Sequence, residues 1–91
     1  MTTDVLKVES DKSIVKGSRV VWNPGNAPLR IVLRKDPDTE GGYVVHTEAL
    51  KLDTDKGCFV HSSYYGGSYC YYGKDGMLKA VEKFTERAAE L

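Results

Sequence analysis

The C-terminal segment of this chain carries a helical repeat, and that repeat constrains the fold more than any other feature. Its apolar residues recur at spacings of four, three, four and three: Met77, Val81, Phe84, Ala88 and Leu91. This spacing places them on one face of a helix, while the remaining positions carry charges of both signs. Asp75 stands where an N-cap residue is preferred. The pattern predicts an amphipathic helix whose apolar stripe packs on the rest of the molecule.

The chain before this helix reads as short extended runs separated by turn residues. Residues 29–34 alternate cleanly, with Leu29, Ile31 and Leu33 on one side. The other side carries Arg30, Val32 and Arg34. Alternation of this kind is typical of a half-buried strand, and it predicts that the two arginines face solvent.

Two hairpins are predicted in the second half of the chain. Residues 43–52 and 58–65 flank Asp55-Lys56-Gly57, which suits a three-residue loop. That register gives Leu50, Leu52, Cys58 and Val60 one face and Phe59, His61 and Tyr65 the other. Gly66-Gly67 fits a second, two-residue turn, which adds Cys70 and Tyr72 to the side of His61.

These elements indicate one domain over residues 1–91. A chain of 91 residues can close one modest core, and a composition of 41% hydrophobic and 29% charged residues is ordinary for a globular protein. The expected fold is α+β, with a twisted antiparallel sheet of about five strands and the C-terminal helix packed on it. A sheet that curls into a barrel-like shape is an alternative form of this fold.

The cysteines and histidines predict neither a disulfide nor a metal site. Cys58 and Cys70 fall on opposite faces in the predicted register, and their spacing misses the paired ligands of structural zinc sites. We therefore expect free thiols, no metal and no cofactor. The chain has no apolar run of about 18 residues and no signal-peptide pattern in its first ten residues, so we expect a cytoplasmic protein without a membrane partner.

The charges are unevenly distributed along a chain whose net charge is zero. Residues 12–35 hold six basic residues and no acidic one, whereas residues 36–55 hold six acidic residues and Lys51. If neighbouring strands place these stretches side by side, they neutralise each other across the sheet. Otherwise the basic stretch forms a surface for phosphate or for an acidic partner.

Catalytic motifs are not recognised. His61 stands beside Ser62 and near Cys58, but successive strand residues point to opposite faces, so this adjacency argues against a nucleophile and its base. His46 and Glu48 read as an edge histidine and a surface carboxylate. We therefore expect a protein that is not an enzyme.

Tyrosines dominate one short segment, because five of the six lie within residues 64–72. Strand alternation prevents all five from being buried in so small a domain, and tyrosine and arginine are enriched at binding hot spots. The predicted binding residues are the following: Arg30, Arg34, Lys35, His61, Tyr65 and Tyr72. Two functions follow. The first is a protein-binding module, and the alternative is a nucleic-acid binder that uses the basic stretch for phosphates and stacks bases on exposed tyrosines. Whether the chain is a monomer or a homodimer stays open.

Residues 45–87 resemble the ending of small uncharacterised proteins of phages, plasmids and other mobile elements. The resemblance rests on the tyrosine-flanked Gly66-Gly67 and on a helix patterned Ala80, Phe84 and Arg87. It implies an accessory factor or inhibitor, including an inhibitor of bacterial defence, that masks a larger partner. Residues 16–21 and 29–33 also resemble the opening of a small Src-homology-type barrel.

Overall fold

The computed structural model describes residues 7–91, and for residues 66–70 it describes the backbone alone. The elements within this part of the chain are β1 (Val8–Glu9), β2 (Ile14–Gly17), β3 (Leu29–Lys35), β4 (Tyr43–Asp53), β5 (Cys58–Tyr71) and α1 (Gly76–Ala89). The strands form one curled sheet in the order β1-β5-β4-β3-β2. All neighbours are antiparallel except β1, which pairs with β5 in parallel. The predicted α+β fold, a five-stranded sheet with a C-terminal helix, is confirmed. The sheet is mixed instead of fully antiparallel, and it curls into a half-barrel.

The helix α1 covers one face of the sheet through an apolar core. Ile31, Leu33 and Val45 on the sheet pack against Ala80 and Phe84 of the helix, and all five are buried. This confirms the side of β3 that the alternation assigned to the interior.

One member of the predicted helix stripe is wrong, because Met77 is 47% exposed. The buried residues of α1 are Gly76, Ala80 and Phe84. A Cβ at Gly76 would lie 3.1 Å from the carbonyl carbon of Tyr71, so the first turn of the helix lies tight against the end of β5. The buried face of the helix therefore begins at Gly76, one residue before the predicted Met77.

The first predicted hairpin is present, and its register differs by one residue. Asp53 pairs with Cys58 and Leu52 with Phe59, which leaves four residues in the loop instead of three. Gly57 has φ +68°, the left-handed conformation expected at that position. Because Thr54 belongs to the loop, Phe59 lies on the same side as its partner Leu52 instead of the opposite side, and it is fully buried.

The second predicted hairpin is wrong, since β5 runs without reversal from Cys58 to Tyr71. Tyr65 pairs with Thr47 and Tyr69 with Val45, so residues 66–68 lie opposite the single residue His46. Gly66-Gly67 therefore occupies a bulge. The freedom of glycine that permits a tight turn also permits an extra residue within a strand.

Cys58 and Cys70 do not pair with each other, for a different reason from the predicted one. Cys58 is a free, buried thiol, and both cysteines belong to the one strand β5. At about 3.3 Å per residue, their Cα atoms lie several times farther apart than the roughly 7 Å limit for a disulfide. The Cys70 side chain, and its predicted face, lie outside the described residues.

The N-terminal segment crosses the face of the sheet that α1 leaves uncovered. β1 lies at the β5 edge and β2 at the β3 edge, so residues 10–13 pass over β4 between them. Beside this crossing, Val20, Leu50 and Phe59 form a second small apolar core. Within the described residues, no helix is long and apolar enough to cross a membrane.

Candidate binding surface

A carboxylate lies at the centre of the face that the N-terminal segment crosses. Glu48 on β4 has a fully buried side chain, and Arg30 on β3 donates from Nε to its Oε1 at 2.7 Å. Ser10 donates its hydroxyl to Oε2, and His61 Nδ1 lies 2.8 Å from the same oxygen. Because an ionised carboxylate only accepts hydrogen bonds, His61 Nδ1 carries the proton in this contact. These four residues are the Glu48 cluster.

The strand register explains how the Glu48 cluster assembles. Arg30 and Glu48 are direct partners between β3 and β4, and Tyr64 of β5 is the partner of Glu48 on its other side. Cross-strand neighbours of opposite charge attract each other, and pairing with Arg30 offsets the cost of burying the carboxylate. The prediction that Glu48 is a surface carboxylate is wrong, because the strand that carries it lies in the middle of the sheet.

Arg34 anchors the N-terminal segment at a second point. Its guanidinium lies 3.8 Å from the centroid of the Tyr64 ring, and its Nε donates to Ser13 Oγ at 3.0 Å. A weaker ion pair joins Arg34 Nη2 to Asp11 Oδ2 at 3.4 Å. The prediction that Arg30 and Arg34 face solvent is therefore wrong, because both side chains are largely buried and each pairs with a carboxylate.

The Tyr64 ring joins the two anchor points. His61 lies tilted on it at 4.3 Å between ring centroids, and His46 stacks on it at 5.5 Å. Burial raises the pKa of the Tyr64 phenol, and this effect exceeds the opposing influence of Ser10 and Arg34. The phenol therefore stays protonated near neutral pH.

His46 carries an altered pKa as well. Burial lowers it below the ordinary histidine value, and the positive charges of Arg34 and Arg87 lower it further. His46 belongs to the central strand β4, so its expected place at an edge is wrong. Near neutral pH its ring is uncharged, and Arg34 carries the positive charge at this position.

An open cleft of about 400 Å³ lies where β3, β4 and the loop between them meet the residue after β5. Its lining is the following: Arg34, Asp36, Pro37, Asp38, Thr39, Val44, His46 and Tyr72. Tyr72 is about half exposed, and its hydroxyl donates to Asp36 Oδ2 at 3.3 Å. A Cβ at Gly42 would lie 2.8 Å from the Tyr72 ring, so the glycine lets this ring approach the loop. We call this site the Tyr72 cleft.

The structure divides the six predicted binding residues among four places. Arg30 and His61 meet at Glu48, in the interior of the curled sheet. Arg34 and Tyr72 line the Tyr72 cleft, and exposed Lys35 lines a neighbouring hollow with Asp36 and Thr39.

Tyr65 lies apart from the other five residues. It is paired with Thr47, whose hydroxyl accepts a hydrogen bond from Arg87 of α1, so the register puts Tyr65 on the helix side of β5. The predicted single surface of tyrosines and arginines is therefore not one surface.

Sequence reasoning missed Ser10 and gave His46 and Glu48 the wrong environments. The available signal for Glu48 was the block of acidic residues that follows the basic block, because neutralisation between adjacent strands does occur at Arg30 and Glu48. Ser10 lies in a polar segment without periodicity and offers no such signal.

In the part of the chain that the structure describes, no group of three or more histidine, cysteine, aspartate or glutamate residues could hold a metal ion. Comparisons with protein-family models, with curated proteins and with solved structures find no match to this chain.

Proposed function

We propose that this chain is a protein-binding domain whose contact site is the Tyr72 cleft. The observation that carries the proposal is that a half-exposed aromatic ring, Tyr72, and a guanidinium, Arg34, line one open cleft. Tyrosine and arginine supply a large share of binding energy when they lie together in a pocket. Pro37 and Val44 add apolar surface between the polar groups.

The charges at the cleft favour a protein over a nucleic acid. Phosphate binding needs exposed cations, whereas Arg30 pairs with Glu48 and Arg34 with Asp11 and the Tyr64 ring. Asp36 and Asp38 also stand at the cleft. Two carboxylates beside one partly buried arginine repel a phosphate backbone.

The polar groups of the Glu48 cluster favour binding over catalysis. The Ser10 hydroxyl donates to a carboxylate, and His61 bonds to the same carboxylate instead of a nucleophile. An activated nucleophile needs a base within hydrogen-bond reach of its own proton. These hydrogen bonds instead join the N-terminal segment to the sheet.

The proposal extends to the biological role of the chain. The resemblance to mobile-element proteins supports an accessory or inhibitory protein that masks a larger partner, in the cytoplasm of its host. A domain of 91 residues with no charge excess suits such a role, since it can cover a site on a larger protein without attracting nucleic acid.

The test is affinity capture with matched tyrosine variants. Tyr72→Ala removes the ring in the cleft, whereas Tyr65→Ala removes an equally exposed ring on the other side of the sheet, at 51% and 49% exposure respectively. We expect a defined set of host proteins bound by the native chain and by Tyr65→Ala. Their affinity for Tyr72→Ala should be at least about fivefold lower.

A salt series on the same captured proteins separates the two functions. Binding centred on Tyr72 should change little when salt is raised, whereas phosphate-driven binding falls steeply. Tight binding of a single-stranded oligonucleotide that disappears with salt, or host proteins retained equally by both variants, would contradict the proposal.

A further inference from the structure

The Tyr72 cleft carries an excess of negative charge, although an arginine lines it. Asp36 and Asp38 both belong to the lining together with Arg34, and the His46 ring is uncharged near neutral pH because its pKa is lowered by burial. The Arg34 guanidinium is already paired with Asp11 at 3.4 Å. The charge of the arginine is therefore compensated from outside the cleft, and the two aspartates inside it are not.

Neither aspartate of the cleft is neutralised by its own chain. Within residues 7–91, no lysine, arginine or histidine nitrogen lies within ion-pair distance of Asp36 or Asp38. The donors to Asp36 are uncharged, namely the backbone N–H of Asp38 at 2.9 Å and the Tyr72 hydroxyl at 3.3 Å. Because a carboxylate has about four lone-pair positions, Asp36 keeps acceptor capacity for a further donor.

A second loop with the same local structure shows the contrast. Between β4 and β5, Asp53 accepts the backbone N–H of Asp55 at 3.0 Å, as the first aspartate of the cleft does with the second. Lys56 follows directly, and its charge and that of Asp53 attract each other. The loop at the cleft has Thr39 at the corresponding position. Its aspartates thus lack the local cation that Lys56 provides in the other loop.

The Tyr72 ring supplies an aromatic surface beside these carboxylates. The residue is 51% exposed, and the bond from its hydroxyl to Asp36 holds the ring next to the loop. Backbone bonds close the loop, from the Asp36 N–H to the Gly42 carbonyl at 2.9 Å and from the Gly42 N–H to the Thr39 carbonyl at 3.0 Å. A cation near a tyrosine ring gains cation–π attraction in addition to its bonds with a carboxylate. Ring and carboxylates are therefore in position before a ligand arrives.

We infer that the Tyr72 cleft binds an arginine side chain of its protein partner, an inference that rests on the proposed function of the cleft. The guanidinium pairs with Asp36 and Asp38 and lies against the Tyr72 ring. It is planar, carries several N–H donors and stacks on aromatic rings, so one group bonds both carboxylates and contacts the ring. Pro37 and Val44 supply apolar surface for the methylene stem.

The chemistry of the cleft favours arginine over lysine and over phosphate. The lysine ammonium is compact and strongly hydrated, and it offers neither planar stacking nor forked pairing. A phosphate would meet the uncompensated carboxylates and be repelled. One guanidinium also loses far less affinity with salt than a row of phosphate contacts does, which agrees with the weak salt dependence expected of the cleft.

The test compares small probes of nearly equal shape and different charge. N-acetyl-arginine amide carries the guanidinium, whereas N-acetyl-citrulline amide carries a neutral urea of almost the same size. In an NMR titration of the native chain, we expect the arginine probe to shift the backbone amides of Asp38, Thr39 and Tyr72 saturably. Its dissociation constant should be at least roughly fivefold lower than those of the citrulline probe and of N-acetyl-lysine amide.

Matched aspartate variants locate the contact. Asp38→Asn removes an exposed carboxylate of the cleft, whereas Asp55→Asn removes the equivalent exposed carboxylate of the other loop. Binding of the arginine probe should weaken at least about threefold in Asp38→Asn and in Tyr72→Ala, and it should be unchanged in Asp55→Asn. The amide spectrum of each variant reports in the same experiment that the chain is folded.

The outcomes separate this inference from the proposed function. A citrulline or lysine probe that binds as tightly as the arginine probe, an arginine probe that shifts no amide of the cleft, or one that Asp38→Asn leaves unaffected would overturn the inference. The proposed function survives these results if Tyr72→Ala still loses the captured host proteins. Host proteins retained equally by Tyr72→Ala and Tyr65→Ala overturn both.

Discussion

The two faces of β4 are closed in different ways. On one face, Val45 lies in an apolar core completed by Ala80 and Phe84 of the helix. On the other face, Glu48 is just as buried, but hydrogen bonds to Arg30, Ser10 and His61 surround it. The first face is held by a segment with a strong helical period and the second by a segment with none. Whether a strand residue is buried therefore depends on the segment that packs over it. Hydrophobic periodicity identifies such a segment when it is an amphipathic helix, but not when it is an irregular polar segment.

The largest effect is expected on the helix side. Phe84→Ala removes a buried ring from the apolar core and should lower the free energy of unfolding by about 3–5 kcal/mol. Lys83→Ala, one residue away, should change it by less than about 0.5 kcal/mol. Chemical denaturation of both variants measures the difference, and equal effects would mean that the helix faces are wrongly assigned.

A comparable loss is expected on the polar side. Glu48→Ala leaves Arg30 without its carboxylate in a largely buried position, so the free energy of unfolding should fall by about 3 kcal/mol. Glu82→Ala removes an exposed glutamate of α1 and should cost less than about 0.5 kcal/mol. If Glu48→Ala were as mild as Glu82→Ala, the carboxylate would be a surface group, as the sequence suggested.

The N-terminal anchor should show a smaller effect. Ser10→Ala removes one hydrogen bond to a charged acceptor, which is worth about 1.5–3 kcal/mol. Exposed Ser62→Ala is the matched control and should be nearly neutral. Hydrogen exchange adds a local reading, since the Phe59 amide bonds to the Lys7 carbonyl at 2.9 Å and should lose protection in Ser10→Ala alone.

The smallest effect concerns the pH dependence of stability. Because the folded state lowers the pKa of His46, the unfolded chain binds a proton more readily at this position. Its contribution is fully present above the ordinary pKa of about 6.5 and is lost as pH falls through the lower folded value. NMR titration of the ring protons should give a pKa below 6.5, and His46→Asn should flatten this part of the stability profile. A folded pKa above the ordinary value would contradict the burial described for His46.

The parts of the fold that follow from local pattern could be predicted from the sequence. The helix, the inner side of β3 and the left-handed Gly57 belong to this group, since each depends on spacing or on one residue's conformational freedom. Gly66-Gly67 is ambiguous at this level. A turn and a bulge both need the conformational freedom of glycine. Which of the two forms depends on β4, whose 11 residues are long enough to pair with both halves of β5.

The Glu48 cluster could not be predicted from local pattern. Ser10 and Glu48 are 38 positions apart, and alternation says which side of the strand a carboxylate takes but not what lies over it. The Tyr72 cleft has the same origin, because its residues come from β3, β4, the loop between them and the end of β5. The sequence identified Arg34 and Tyr72 as binding residues, but it did not show that they line one cleft.

A double-mutant cycle between Ser10 and Glu48 is the most direct test that the buried carboxylate holds the N-terminal segment across the sheet. If the Ser10 hydroxyl stabilises the fold through Glu48, Ser10→Ala should cost much less in a Glu48→Ala background, which has no acceptor, than in the native chain. The expected coupling free energy is about 1–2 kcal/mol. A coupling below about 0.3 kcal/mol would show that the two side chains act independently, and the N-terminal segment would then not be held across the sheet by the buried carboxylate.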